Sequence, residues 1–237
     1  MSEFDKQVVV ITGAAGNLGQ AVARGFAAAG AHLALVDHNA DGLDSAIKAL
    51  TGQASAKAYP TDLIDASTVK ATFASILNDS GRIDVLANIA GGFTMGPRLQ
   101  DTEDRDWDFM MDLNARTVFN TCRETIPTML NQGGGRIVNV SARAAEDGKG
   151  RMAPYCASKA AVLTLTESLA AENKFDNINV NCILPGTVDT PQNRRDMPDS
   201  DFAKWVPTDA LADVVMFLSS TAARCITGAA VPVYGQS

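Results

Sequence analysis

Histidine and cysteine are scarce in this 237-residue chain, and both shortages narrow what it can be. The only histidines are His32 and His38, too few to build a His-rich metal site. Cys122, Cys156, Cys182 and Cys225 stand far apart and form no CxxC pair. Free thiols in a reducing compartment are therefore expected, rather than a disulfide framework. Basic residues are also in deficit, with 20 Lys and Arg against 27 Asp and Glu and a formal net charge of −7. Nucleic acid is a poor partner for such a chain, because phosphate binding needs a basic stripe. No segment reaches the run of about 18 apolar residues that a membrane helix requires. The start, Met1-Ser2-Glu3-Phe4-Asp5-Lys6, lacks the basic opening and long apolar stretch of a signal peptide. A cytoplasmic protein with no membrane partner is the resulting expectation.

What is present is an alternation of short β-branched runs and longer helical patterns. The length suits a single domain over 1–237. Strands are expected at 8–11, 31–36, 56–60, 83–87, 136–140, 178–184 and 230–234. Helices are expected at 17–29, 40–50, 65–78, about 102–130 (bent or interrupted), 154–173 and 208–219. Repeated βαβ units require right-handed crossovers and a parallel sheet covered on both faces. The expected fold class is thus α/β, a doubly wound seven-stranded parallel sheet of the Rossmann type. One stretch, 187–207, reads as irregular and is sized for a loop over an active site.

Thr12-Gly13-Ala14-Ala15-Gly16-Asn17-Leu18-Gly19 follows the first strand directly and opens the first helix. Glycine tolerates positive φ and lets the backbone approach a pyrophosphate, and the helix start adds free N–H groups. An ordinary strand–turn–helix connection is the competing reading; the setting between strand and helix favours the nucleotide. Asp37 closes the second strand 18 residues after Gly19. A carboxylate there can accept both ribose hydroxyls of NAD and repels the additional phosphate of NADP. NAD(H) over NADP(H) follows, unless Asp37 only caps the next helix.

With these stations in place the chain resembles the short-chain dehydrogenase/reductase family over nearly its whole length. Thr12 to Gly19 matches that family's variant of the dinucleotide turn, and Asp62 its acidic residue beside the adenine. Asn88-Ile89-Ala90-Gly91 matches its Asn-x-Ala-Gly turn, with Ile89 where many members carry a second asparagine. Asn114, Ser141 and Tyr155-Cys156-Ala157-Ser158-Lys159 match its catalytic stations, and Pro185-Gly186 its turn after strand six. The resemblance implies catalytic roles for Asn114, Ser141, Tyr155 and Lys159. It implies a cofactor contact surface of Thr12, Gly13, Ala15, Gly16, Asn17, Leu18, Gly19, Asp37, Asp62 and Leu63. Asn88, Ala90, Gly91, Tyr155, Lys159, Pro185, Gly186, Val188 and Thr190 complete it. No metal is implied. The tail Val233-Tyr234-Gly235-Gln236-Ser237 departs from the family's usual Val-Asp-Gly-Gly ending.

Tyr155 and Lys159 are four positions apart on a helix, so they share a face. A free phenol titrates at about 10, too high for an effective base near neutrality; a neighbouring ammonium is expected to lower it. Tyr155 then exchanges the alcohol proton, Ser141 holds the same oxygen, and Lys159 binds the nicotinamide ribose. The resemblance implies that Asn114 supports a water-linked proton path to Lys159. The expected substrate is a small alcohol or carbonyl compound, met by Gly92 to Met95, Ala142 to Met152 and Thr187 to Trp205. Arg143, Arg151, Arg194 and Arg195 lie there, either meeting an anionic group or simply solvated. The segment from Asp189 to Trp205 resembles dihydropteridine reductases locally, which keeps an NADH-dependent dihydropteridine-type reductase as an alternative. A non-catalytic dinucleotide sensor is the other alternative. The resemblance implies a homotetramer or homodimer, since the family commonly pairs its long helices between subunits, and the apolar surface expected on 106–130 and 154–173 agrees.

Overall fold

The computed structural model describes residues 3–50 and 55–236. Seven parallel strands form the central sheet: β1 (Val8–Thr12), β2 (His32–Asp37), β3 (Ala56–Pro60), β4 (Val85–Asn88), β5 (Gly135–Val140), β6 (Ile178–Pro185) and β9 (Ala230–Val233). Their spatial order is β3-β2-β1-β4-β5-β6-β9. The chain therefore runs outward from β1 to β3, returns to the middle, and continues the other way from β4. The crevice between the carboxyl ends of β1 and β4, where the winding reverses, is where an open α/β sheet binds its ligand.

Alternation along each strand explains why helices cover both faces. Val9 and Ile11 of β1, Leu33 and Leu35 of β2, and Val85 and Ala87 of β4 join one apolar core. Val10, Ala34, Val36 and Leu86 between them join the other, as a two-residue side-chain period demands. The first core is closed by α1 (Asn17–Ala28), α2 (Ala40–Ala49) and α8 (Thr208–Ser219), through Phe26, Leu43 and Val215 among others. The second is closed by α3 (Ala66–Ser80), α5 (Thr117–Gln132) and α6 (Ala153–Asn173), through Phe73, Met129 and Val162. Every residue of β1, β4 and β6 is buried, as expected of strands covered on both sides.

The long helical pattern before β5 is interrupted. It consists of α4 (Asp104–Met110), a π-helical segment at Met111–Arg116, and α5. A wide turn of this kind locally displaces the side chains that follow, and Asn114 lies inside it.

The irregular reading of 187–207 needs correction. It contains a two-stranded parallel ribbon, β7 (Val188–Asp189) with β8 (Val206–Pro207), and a short helix α7 (Pro191–Asp196). The ribbon is fixed by the Val206 amide donating to the Thr187 carbonyl. Thr190 caps α7 by accepting from the Asn193 amide at 3.1 Å. Phe202 packs on Trp205, with ring centroids 4.7 Å apart, and Trp205 is buried. These local contacts do not show as periodicity, because no element spans two full periods of its pattern.

Candidate active site

The glycine turn has the shape the sequence suggested. Gly13 takes φ of +65°, and a Cβ there would stand 2.8 Å from the Ala90 backbone. A Cβ on Gly19 would be 2.1 Å from the Gly13 carbonyl oxygen, so the helix can start this close only with glycine. Gly16 is the N-cap of α1 and supplies no side-chain cap, and no acidic residue stands in the first turn. The first amides of α1 are thus open to an anion, with the helix dipole behind them. The Thr12 hydroxyl accepts from the Ala90 amide at 3.2 Å, tying the end of β1 to the turn after β4.

Asp37 is buried at the end of β2. One carboxylate oxygen accepts from the Ala15 amide (3.1 Å), the other from the Asn39 amide (3.0 Å). The carboxylate is therefore held beside the glycine turn, with spare lone pairs for ribose hydroxyls. Capping of α2 is done by Asn39 instead, whose side chain accepts from the Gly42 amide. His38 Nδ1 lies 3.2 Å from the Asp37 carboxylate and is highly exposed. Asp62 is exposed just beyond β3 and accepts from the Ile64 amide, while Leu63 is buried. Asn120 reaches from α5 to donate to the Leu63 carbonyl at 3.0 Å, which fixes this floor.

Not every residue expected to touch a cofactor offers its side chain. Asn88 is buried and fully committed: it donates to Asn139 at 2.9 Å and accepts from the Thr121 hydroxyl at 2.8 Å. Asn139 in turn donates to the Thr166 hydroxyl at 2.9 Å. This satisfied chain crosses the sheet between α5 and α6, so only the backbone of Asn88 remains for a ligand. Pro185 and Gly186 lie at the carboxyl end of β6, where the Gly186 amide donates to the Val233 carbonyl. Val188 and Thr190 begin the segment above them, half-buried.

Asn114 and Lys159 converge beside Gly91, and Tyr155 lies one helical turn before Lys159 on α6. A Cβ on Gly91 would lie 2.7 Å from Asn114 Oδ1 and 3.1 Å from Lys159 Nζ. Asn114 Oδ1 accepts from the Gly92 amide, and its Nδ2 donates to the Gly92 carbonyl and to the Ser158 hydroxyl at 3.0 Å. Ser158 donates on to the Tyr155 carbonyl at 2.8 Å. The reading from sequence missed Ser158; its signal was a small hydroxyl on the inner face of α6, one position before Lys159. Lys159 Nζ donates to the Val140 carbonyl at 3.0 Å. The Phe93 and Tyr155 rings meet edge to face with centroids 5.0 Å apart, and about half of Phe93 is exposed. Burial pushes Lys159 down to about 8. The expected lowering of Tyr155 is not found in the unliganded chain. Burial, with a smaller contribution from Cys156, pushes the phenol up to about 12, because desolvation opposes the phenolate.

Ser141 follows β5 as expected, but its hydroxyl does not reach Tyr155. It is buried and donates to the Lys159 carbonyl at 2.7 Å. The arginines of the substrate region also have partners. Arg194 makes a two-pronged pair with Asp189 (2.6 and 2.7 Å) and lies over the Phe202 ring. Arg195 donates to Gln192, and Arg143 lies over the Tyr234 ring. Arg151, with φ of +65°, exchanges two hydrogen bonds with Gly96, bridging the segments after β4 and β5. Among the described residues no group of three or more His, Cys, Asp or Glu can hold a metal ion, and no helix is long and apolar enough to cross a membrane.

Comparison with known proteins agrees with this geometry. The family model for short chain dehydrogenases matches residues 7–201. The chain is 35% identical to a D-threitol dehydrogenase of Mycolicibacterium smegmatis, over 98% of this chain and 93% of that protein. It is 33% identical to a 2,3-dihydro-2,3-dihydroxybenzoate dehydrogenase of Bacillus subtilis, over 94% and 93%. Among solved structures, NAD+-bound xylitol dehydrogenase superposes with a TM-score of 0.90 at 29% identity, covering 98% of this chain and 99% of that one. With its seven-stranded doubly wound sheet and its glycine turn, the chain belongs to the short-chain dehydrogenase family of oxidoreductases.

Proposed function

We propose that the protein is an NAD(H)-dependent oxidoreductase that interconverts a small polar alcohol, a polyol or vicinal diol, with its carbonyl form. The observation that carries this reading is the convergence of Lys159 and Asn114 on Gly91, beside the glycine turn, with Tyr155 one turn before Lys159 on α6. The named activities of the D-threitol, dihydrodiol and xylitol relatives support the substrate class. The amides of Asn17 to Gly19 would hold the pyrophosphate, Asp37 the adenosine ribose, and Lys159 the nicotinamide ribose. When bound, the nicotinamide supplies the hydride acceptor and, in its oxidised form, a positive charge near Tyr155.

In oxidation, the alcohol proton passes to Tyr155 Oη as the C–H bond breaks and the carbonyl forms. In reduction, Tyr155 returns that proton to the oxygen. Because the phenol is held high in the free protein, a nearby cationic charge is what brings it into range. Phe93 packs against the phenol ring and offers an apolar wall for the substrate carbon chain.

The test is direct. Purified protein is titrated with NADH and NADPH, then offered NAD+ with polyols, vicinal diols and simple secondary alcohols, following reduced nicotinamide by its absorbance. Tighter NADH binding and turnover confined to hydroxylated substrates are expected. Binding of neither cofactor would reject the reading. Turnover of quinonoid dihydropterin without alcohol oxidation would replace the substrate class with the dihydropteridine alternative.

A further inference from the structure

Ser141 and Val140, consecutive at the end of β5, grip the same residue from two sides. The Val140 carbonyl accepts from Lys159 Nζ at 3.0 Å, and the Ser141 hydroxyl donates to the Lys159 carbonyl at 2.7 Å. That carbonyl lies inside α6, where the helical ladder supplies a first donor, so the hydroxyl takes its second lone pair. The bond is therefore a tether between strand and helix, not the rescue of an orphaned group. It also consumes the one proton the Ser141 hydroxyl owns. Ser141 is 2% exposed, and its follower Ala142 brings no polar side-chain atom.

We infer that Ser141 is a positioning residue: its hydroxyl fixes Lys159 against β5, and it does not hold the substrate oxygen. This rests on the proposed function for its catalytic meaning, but the tether itself is a property of the free chain. Without the hydroxyl, the turn of α6 that carries Lys159 is free to move off the end of β5. Nζ then loses its fixed distance to Val140, and the ammonium beside Gly91 becomes mobile and more accessible.

Limited acylation of the free protein with acetic anhydride, read by peptide mass spectrometry, measures this without cofactor. The exposed Lys48 and Lys70 serve as internal standards. In Ser141→Ala the acylation rate of Lys159 relative to those two should rise about three- to tenfold, the order of one lost buried hydrogen bond. Ser141→Thr, which retains a hydroxyl, should return it toward the wild-type ratio. Ser141→Cys, near in volume but a weak donor, should behave like the alanine variant and serves if that variant does not fold. An unchanged ratio in a folded alanine or cysteine variant would overturn the tether.

Binary NADH titration separates positioning from direct substrate contact. Positioning through Lys159 predicts a three- to tenfold weaker NADH affinity in Ser141→Ala, of the same order as one hydrogen bond. A serine that met only the substrate oxygen would leave that affinity untouched and lower kcat alone, which would overturn the inference. Should the wild-type chain bind neither cofactor, the proposed function falls, while the acylation ratio still decides the tether.

Discussion

Tyr155 and Lys159 occupy a site that penalises the charge of each. Burial holds the phenol up at about 12 and the ammonium down at about 8. A lysine depressed in the folded state binds fewer protons than in the unfolded chain between about 8 and its ordinary 10.5. Stability therefore carries a penalty that is complete below about 8 and relieved as pH rises through that window. Lys159→Met should stop turnover yet raise stability below pH 8, on the order of 1–3 kcal/mol. Urea unfolding near neutrality and near pH 10 checks it: the wild type should gain on the variant as pH rises. Equal pH slopes would show that Lys159 is not depressed. Tyr155→Phe keeps the ring against Phe93 but removes the proton carrier. It should lower kcat by about 10²–10⁴ and leave NADH affinity near wild type. At Asp37 the expected outcome concerns choice of cofactor. Asp37→Ala removes the carboxylate that opposes a ribose phosphate, so the ratio of kcat/KM for NADP+ to NAD+ should rise about tenfold or more. An unchanged ratio would remove Asp37 from cofactor selection.

At the scale of the element, the glycine turn is the piece whose geometry is least forgiving. Gly19→Ala sets a Cβ 2.1 Å from the Gly13 carbonyl oxygen and 2.8 Å from the Ala14 Cα, both backbone. Neither can move without opening the turn. A loss of about 2 kcal/mol or more, with NADH binding weakened at least tenfold, is expected. Gly133 provides the contrast: it has φ of +85° but open space around it. Gly133→Ala should cost only its backbone strain, about 1–2 kcal/mol, and leave binding unchanged. Thermal unfolding and NADH titration of the two variants compare them. The same element shows what a sequence can convey. The turn is legible because strand, glycines and helix are contiguous, and their spacing carries the geometry. The alternation of strands and helices was legible for the same reason. Side-chain direction at a strand end was not. Asn88 and Ser141 sit where the pattern placed them, but the pleat aims Asn88 at Asn139 and Ser141 at the Lys159 carbonyl. The interruption before α5 was foreseen as a bend, whereas its π-helical form depends on which carbonyl each amide reaches. Arg194 reads as available for an anion until Asp189 folds back onto it across the first turn of α7.

At the scale of the whole molecule, large apolar side chains stand exposed on the helices on either side of the π-helical segment. Trp107 and Phe109 of α4, and Phe119 and Leu130 of α5, are all more than two-fifths exposed. On α6, Val162 and Ala170 face the second core, yet Leu163 and Leu165 on other sides of the helix are also partly shielded apolar residues. A helix that is apolar nearly all round belongs in an interior. Exposed apolar side chains clustered in sequence around charged residues such as Arg116 and Asp112 are candidates for an association surface. These helices also carry Asn114, Tyr155 and Lys159, so a second copy packed there would stiffen the site from behind. Sedimentation velocity should show a dimer or tetramer across micromolar concentrations, and Phe109→Asp with Phe119→Glu should shift it toward monomer. Dissociation should weaken NADH binding along with assembly, because the π-helical segment lies between the two substituted positions. A wild-type monomer would reject the assembly. A dissociated variant with unchanged NADH affinity would show that α4 to α6 hold the site without help from a partner.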